Sequence, residues 1–311
     1  MPVLTHDRHR AIEYGRPGVT WEIAAGISLI VQDGPAVLTE MDHSALINHG
    51  MISGGVSFTH QWDGELSGGF IENAADGVIT GGVSIDGDDI GLSNQGSITA
   101  DGGAVYLRGW NDAFDNSGSV DGTERGVFVN GYGLTIRNSG DIRSDGAALY
   151  LSPYQAETVT VENTGSIRGG ALAIESHGYL VLRYESLIRG DLDVAQAYAR
   201  IANSGHIRGD IFFSAADDKY VGKGGSMTGH VVDGGEGDDK LIAGRGQDQL
   251  IGGAGADTLS GREGDDVLIA APAAIWCLAG WTRIASSICH CGIRKLAPGV
   301  KASTSTTSKA T

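Results

Sequence analysis

The motif Asn-x-Gly-x-Ile/Val returns along the chain as NHGMI at 48, NQGSI at 94, NSGSV at 116, NSGDI at 138, NTGSI at 163 and NSGHI at 203. Degenerate copies end at Ile79, after Asn73, and at Ile188, so the apolar anchors are Ile52, Ile79, Ile98, Val120, Ile142, Ile167, Ile188 and Ile207. Their spacings of 27, 19, 22, 22, 25, 21 and 19 residues define a unit of about 22. A unit that short cannot bury its own apolar face, whereas stacked copies share a continuous core.

Between the anchors lie alternating runs such as GGAVYLRG (102–109), RGVFVNG (125–131), GAALYLSP (146–153) and GALAIESHG (170–178), which read as strands of period two. Helix-period stretches are scarce. The expected fold is all-β, a parallel β-helix in which each coil adds about 4.8 Å of height. The Ile/Val anchors stack inside it, and Asn48, Asn94, Asn116, Asn138, Asn163 and Asn203 stand ready to form a hydrogen-bonded corner ladder. Corners at Gly50, Gly96, Gly118, Gly140, Gly165 and Gly205 call for positive φ or close backbone approach. Glycine, at 50 of 311 residues, supplies these turns, and 41% hydrophobic content excludes a disordered acidic chain. The block from about 44 to 210 resembles the Asn-Ser-Gly-rich β-helical stretches of bacterial adhesins, autotransporter passengers and large calcium-binding proteins. We read 44–212 as the β-helix, 1–43 as a repeat-free cap or leader, and 213–233 as a transition segment.

From Gly234 the period changes to nine: GGEGDDKLI (234–242), AGRGQDQLI (243–251), GGAGADTLS (252–260) and GREGDDVLI (261–269) follow in unbroken register. Gly fills the fourth place, Asp the sixth and Leu the eighth of every unit. This pattern resembles the RTX (hemolysin-type) nonapeptide family. The six Gly-rich residues make a turn whose carbonyls point inward, and x-U-x makes a short strand with U in the core. Calcium is a hard cation that takes six to eight oxygens. The resemblance implies a parallel β-roll in which each Ca2+ is shared by one turn and the next but one. By position, Asp239 would pair with Asp257 and Asp248 with Asp266, giving two sites. Carbonyls of Gly235, Gly237, Gly244, Gly246, Gly253, Gly255, Arg262 and Gly264 would help. Ala243 and Arg262 depart from the pattern but keep their carbonyls, although a strained φ at Arg262 would weaken its site. A degenerate unit, SAADDKYVG (214–222), precedes the array, but its offset from Gly234 is not a multiple of nine. It reads as a transition with no calcium assigned.

The array stops at Ile269. Residues 270–311 hold no acid where about six are expected, yet hold Cys277, Cys289 and Cys291, all the cysteines of the chain. The remainder, 1–269, carries a net charge of −21 and no disulfide framework. One restored base before codon 270 lets Ala270–Cys277 read G-G-A-G-G-D-L-V, the next nonapeptide. Trp276-Cys277 forces the Val of that frame, and Trp281-Thr282 forces an Asp. The tail is therefore read as non-repeat sequence with a shifted frame as its account, which DNA sequence around codon 270 tests. Cys289-His290-Cys291 lacks the separated ligand pairs of a zinc site.

Net charge of −16 argues against nucleic acid and favours cations as partners. The opening segment, Met1 to Ile30, lacks the basic, apolar, small-residue order of a secretory signal. The run Val267–Trp281 is short for a bilayer span and contains Pro272, so no membrane span is expected. RTX proteins are typically exported by a type I route that reads a C-terminal signal. The resemblance therefore implies an extracellular or cell-surface site, with export uncertain where the tail is out of frame. No H-E-x-x-H, G-x-S-x-G or Walker pattern occurs, and DGDDIG (86–91) lacks the later ligands of an EF-hand. Asp42/His43 and His60/Asp63 are scattered acid/base candidates that read as corner residues, and no catalytic residue is assigned. The reading is a calcium-binding, bacterial, secreted, structural or adhesive protein facing a cell-surface or polysaccharide ligand. The alternatives are a polysaccharide-active β-helix similar to lyases or epimerases with RTX modules, and a fragment whose partner domain does the work.

Overall fold

A computed structural model of the chain describes residues 1–59, 66–153, 157–185, 187–194, 198–227 and 229–270, with the backbone of 276–277. Among the described residues every regular element is a strand, and the strands pair in parallel. The alternating runs wind into coils because most strands end at a corner rich in Gly, Asn or Asp and the chain resumes on the next side. One sheet runs through fourteen strands from Val3–Leu4 to Trp276–Cys277, and a second, of twenty strands, holds two further ladders.

Three rows of side chains fill the interior. Leu46, Ile71, Leu92, Phe114, Ile136, Val161, Leu182 and Ile201 stack in register along the first sheet. The Ile/Val anchors predicted from the repeat stack from Ile52 through Ile207 as one unbroken row. A third row runs Val37, Val56, Val83, Val105, Val127, Leu149, Ile174, Leu192 and Ile211. Ile52, Ile71, Ile136, Leu149 and Ile188 are wholly buried, each contributing about 1.5–3 kcal/mol by leaving water.

The corner ladder forms from side-chain amides. Asn48, Asn73, Asn94 and Asn116 each donate to the next Asn in line, and Asn138 donates to Asn163, at 2.6–2.8 Å. Asn73 belongs to this ladder although its motif is degenerate. Asn203 does not join it, because Tyr184 occupies the intervening coil; the Asn203 amide donates to the Tyr220 hydroxyl instead. Close approach is what the corner glycines serve: a Cβ on Gly96, Gly118, Gly140 or Gly165 would sit 2.1 Å from a carbonyl of the preceding coil. A left-handed row lies at another corner, where Gly18, His43, Gly68, Asp89, Asn111 and Gly133 have φ of 55–69°.

Residues 1–43 are themselves coiled. Val3–Leu4 pairs with Thr20–Ile23, which pairs with Ala45–Asn48, and Ser28–Ile30 pairs with Met51–Ser53. Ile23 stands where the next coil has Asn48, so this coil lacks the residue that makes the later ones visible as a repeat.

The nine-residue units continue the same two outer rows. Leu241 and Leu259 extend the first row beyond Tyr220. Leu250 and Leu268 extend the third row beyond Val232. The anchor row has its last paired strand at His206–Arg208, followed by an isolated bridge from His206 to Ser226. The three-sided coil therefore loses one side and becomes a two-sided roll, which is why the long period gives way to a pair of nonapeptides per coil.

Candidate metal centre

Each nonapeptide turn in the roll ends on a buried aspartate that faces its counterpart in the next turn on the same edge. The Asp239 N–H donates to Asp257 Oδ1 at 3.1 Å, and the Asp248 N–H to Asp266 Oδ1 at 3.0 Å. These are the pairs expected from the repeat. Gly235, Gly237, Gly253 and Gly255 lie with Asp239 and Asp257 at one edge of the roll; Gly244, Gly246, Arg262 and Gly264 lie with Asp248 and Asp266 at the other. Bridges Glu236–Ala254 and Arg245–Glu263 fix the stacking of successive turns.

Glycine is required where turns touch. A Cβ on Gly253 would come within 1.9 Å of Gly235 O, and one on Gly255 within 2.0 Å of Gly237 O. Gly237, Gly246, Gly255 and Gly264 all hold φ between 111° and 138°, a region that L side chains rarely enter. Arg262 does hold a left-handed φ of 62°, the strain anticipated for the one non-glycine at its place.

The electrostatics of these turns ask for a cation. One carboxylate oxygen, Oδ2, of each of Asp239, Asp248, Asp257 and Asp266 is buried with no hydrogen-bond partner. Burial pushes Asp239 up to about 7, with the charges of Asp218, Asp257 and Asp217 adding to it and the Asp218 N–H opposing. Burial pushes Asp248 up to about 6, reinforced by Asp266. Asp257 and Asp266 are raised for the same first reason. Paired carboxylates kept from water and short of donors are a hard-oxygen environment suited to calcium. No group of three or more His, Cys, Asp or Glu side chains gathers among the described residues, so backbone carbonyls must supply the rest of any coordination shell here.

Reading by spacing missed a fifth aspartate in the same arrangement. The Asp218 N–H donates to Asp239 Oδ1 at 2.8 Å, and Asp218 Oδ2 is likewise buried without a partner. The register places Ser214 beneath Gly235, so the degenerate unit starts at Phe213, one residue before the start that its sequence suggests. A usable signal was present: Asp217-Asp218-Lys219-Tyr220 repeats the order of Asp238-Asp239-Lys240-Leu241.

Other candidates take structural places. Asp42 Oδ1 accepts from the Ser67 N–H, and His43 is a left-handed corner residue. Asp88, in DGDDIG, accepts from the Trp110 N–H. His60, Asp63 and the Cys289-His290-Cys291 cluster lie outside the described residues. Among the described residues no helix is long and apolar enough to cross a membrane.

Fold and site together define a parallel β-solenoid whose final coils are paired carboxylate turns. Residues 233–268 match the family model of the RTX calcium-binding nonapeptide repeat, in four copies, so this stretch carries calcium-binding repeats. No curated protein and no solved structure matches the chain.

Proposed function

We propose that this is a secreted bacterial calcium-binding protein, structural or adhesive, whose nonapeptide roll orders on calcium outside the cell. The observation that carries the reading is the set of carboxylates paired across successive turns of one edge, each with an oxygen buried and unpartnered. A dication between turns would neutralise Asp239 with Asp257 and Asp248 with Asp266, and would accept carbonyl oxygens from Gly235, Gly237, Gly244, Gly246, Gly253, Gly255, Arg262 and Gly264. Calcium supplies charge neutralisation and cross-linking there; the chain's own contribution is to bring the oxygens together in a turn built largely from glycine. Extracellular calcium modules bind at about 10⁻⁴ to 10⁻³ M, far above cytosolic free calcium. Binding energy then becomes folding energy after export. The three-sided coil is the part left to face a surface or polymer, and its outer rows carry Arg-carboxylate pairs such as Arg143–Asp121 and Arg137–Asp115.

Far-UV circular dichroism of the purified chain during a calcium titration tests this. β signal should rise near about 10⁻⁴ to 10⁻³ M calcium and stay flat when Asp239, Asp248, Asp257 and Asp266 are all changed to Ala. A flat response in the parent chain would remove the calcium-folding role.

A further inference from the structure

We propose a third calcium site, formed by the turn Phe213–Asp218 with the first nonapeptide turn, at the seam where the three-sided coil passes into the roll. One of its two turns, Phe213–Asp218, lies outside the matched repeats at 233–268, and the site rests on the calcium reading given above.

The seam turn matches the nonapeptide turns contact by contact. Within the repeats, the Asp239 N–H reaches Asp257 Oδ1; at the seam, the Asp218 N–H reaches Asp239 Oδ1. Ala256 N–H donates to Asp238 Oδ1 at 2.7 Å, and Asp238 N–H to Asp217 Oδ1 at 2.8 Å. Thr258 N–H donates to Asp239 O, and Lys240 N–H to Asp218 O. Ala254 N–H donates to Gly235 O, and Glu236 N–H to Ser214 O. Gly255 lies against Gly237 O, as Gly237 does against Ala216 O. These contacts that stack one nonapeptide turn on the next are thus reproduced one coil earlier, across a sequence separation of 21 instead of 18, and among the described residues the Gly237 N–H bond to Ala254 O is the one stacking bond without a counterpart at the seam.

Asp218 itself points to a ligand. Its side chain is 2% exposed, its Oδ1 accepts from the Ala199 N–H, and its Oδ2 is buried with no partner. A buried carboxylate oxygen without a donor is costly, and the same orphan occurs at Asp239, Asp248, Asp257 and Asp266 in the roll. The opposite edge lacks such an extension. There Gly225 O lies beneath Gly244, and the residues that follow, Ser226 and Met227, bring no carboxylate. The edge holding Asp218, Asp239 and Asp257 therefore has one more pair of stacked aspartates than the edge holding Asp248 and Asp266.

Ser214 and Ala216 stand where the next turn has left-handed Gly235 and Gly237. The seam turn presents its carbonyls differently, so its ion is the weakest bound of the three. Position gives the site its role. The strand that leaves Asp218, Lys219–Gly222, pairs with Ala199–Asn203 of the wide coil on one side and Lys240–Ile242 of the roll on the other. An ion there cross-links the two kinds of coil.

Equilibrium dialysis of the full chain against buffered calcium reads the ion count directly. Asp218→Asn keeps the acceptor for Ala199 and removes the charge. It should bind one ion fewer than the parent, as should the control Asp266→Asn on the opposite edge. The double change Ser214→Gly with Ala216→Gly should tighten the weakest binding step several-fold without altering the count. Asp218→Asn binding as many ions as the parent, while Asp266→Asn loses one, would overturn the seam site and leave the nonapeptide reading intact. A parent that binds no calcium would instead show that the nonapeptide reading has failed, and the seam site with it. Should Asp218→Asn not fold, the glycine pair decides: an unchanged weakest step overturns the proposal.

Discussion

Arg262 carries its left-handed φ of 62° at a place where Gly235 and Gly253 have 86° and 89°. An L residue there costs about 1–2 kcal/mol, and glycine returns about 0.5–1 kcal/mol of that through its freer unfolded chain. Arg262→Gly is therefore expected to stabilise the turn by about 0.5–1 kcal/mol and to tighten calcium at the Asp248/Asp266 pair about two- to fivefold, read by dialysis. Weaker binding would mean that the arginine itself contributes to the site. Asp112 is strained in a different way. It accepts the Ile90 N–H from the preceding coil and has Oδ2 buried without a partner. Burial pushes it up to about 7, opposed by the Ile90 bond and reinforced by Asp88, Asp89 and Asp86. Because the folded value lies above the unfolded value near about 3.9, the unfolded chain loses its proton first. The stability held below about pH 4 is lost as pH rises toward about 7. In calcium-saturated chain, so that the roll is held constant, the urea midpoint should fall across that window, and Asp112→Asn should flatten the fall. Parallel profiles for the two proteins would show that Asp112 is already ionised in the fold.

At the scale of the element, the Asn ladder is the wide coil's analogue of the aspartate stack. Asn116 receives from Asn94 and donates to Asn138, each at 2.7 Å, and is 2% exposed. Asn116→Ala leaves a buried Asn138 oxygen without its donor and should cost about 1–3 kcal/mol in urea unfolding; a loss near zero would mean that water replaces the amide. Much of this was legible, because stacking demands that identical side chains recur at one place per coil. The anchors Ile52 to Ile207 and the pairs Asp239/Asp257 and Asp248/Asp266 were readable for that reason. Where stacking is satisfied by a different residue, the repeat vanishes from view though the coil persists: Ile23 replaces Asn in an early coil, and Tyr184 interrupts the ladder and diverts Asn203 to Tyr220. Asp218 escaped for a related reason. Its separation from Asp239 is not a multiple of nine, so a search in steps of nine passes over it, while hydrogen-bond register counts turns and is indifferent to what is looped between them.

For the whole molecule, two rows of the core run unbroken from the wide coil into the roll, but the forces holding the two parts differ. The wide coil encloses three apolar rows and closes a corner with neutral amides that satisfy one another. The roll has one buried apolar residue per strand, Leu241, Leu250, Leu259 and Leu268, and buries a carboxylate at every turn. Solenoid stability is a sum of local coil and interface terms, so removing calcium should release the roll without unwinding the rest. Hydrogen exchange with and without chelator resolves the two. Amides of Lys240–Ile242, Gln249–Ile251, Thr258–Ser260 and Val267–Ile269 should lose protection on chelation, whereas those of Gly91–Asn94, Ala113–Asn116 and Thr135–Asn138 should keep it. Lys219–Gly222, paired to both parts, should show the intermediate response. Loss of protection along the whole chain would mean that the shared rows couple the coils more strongly than nearest-neighbour stacking allows, and that calcium governs the β-helix as well as the roll.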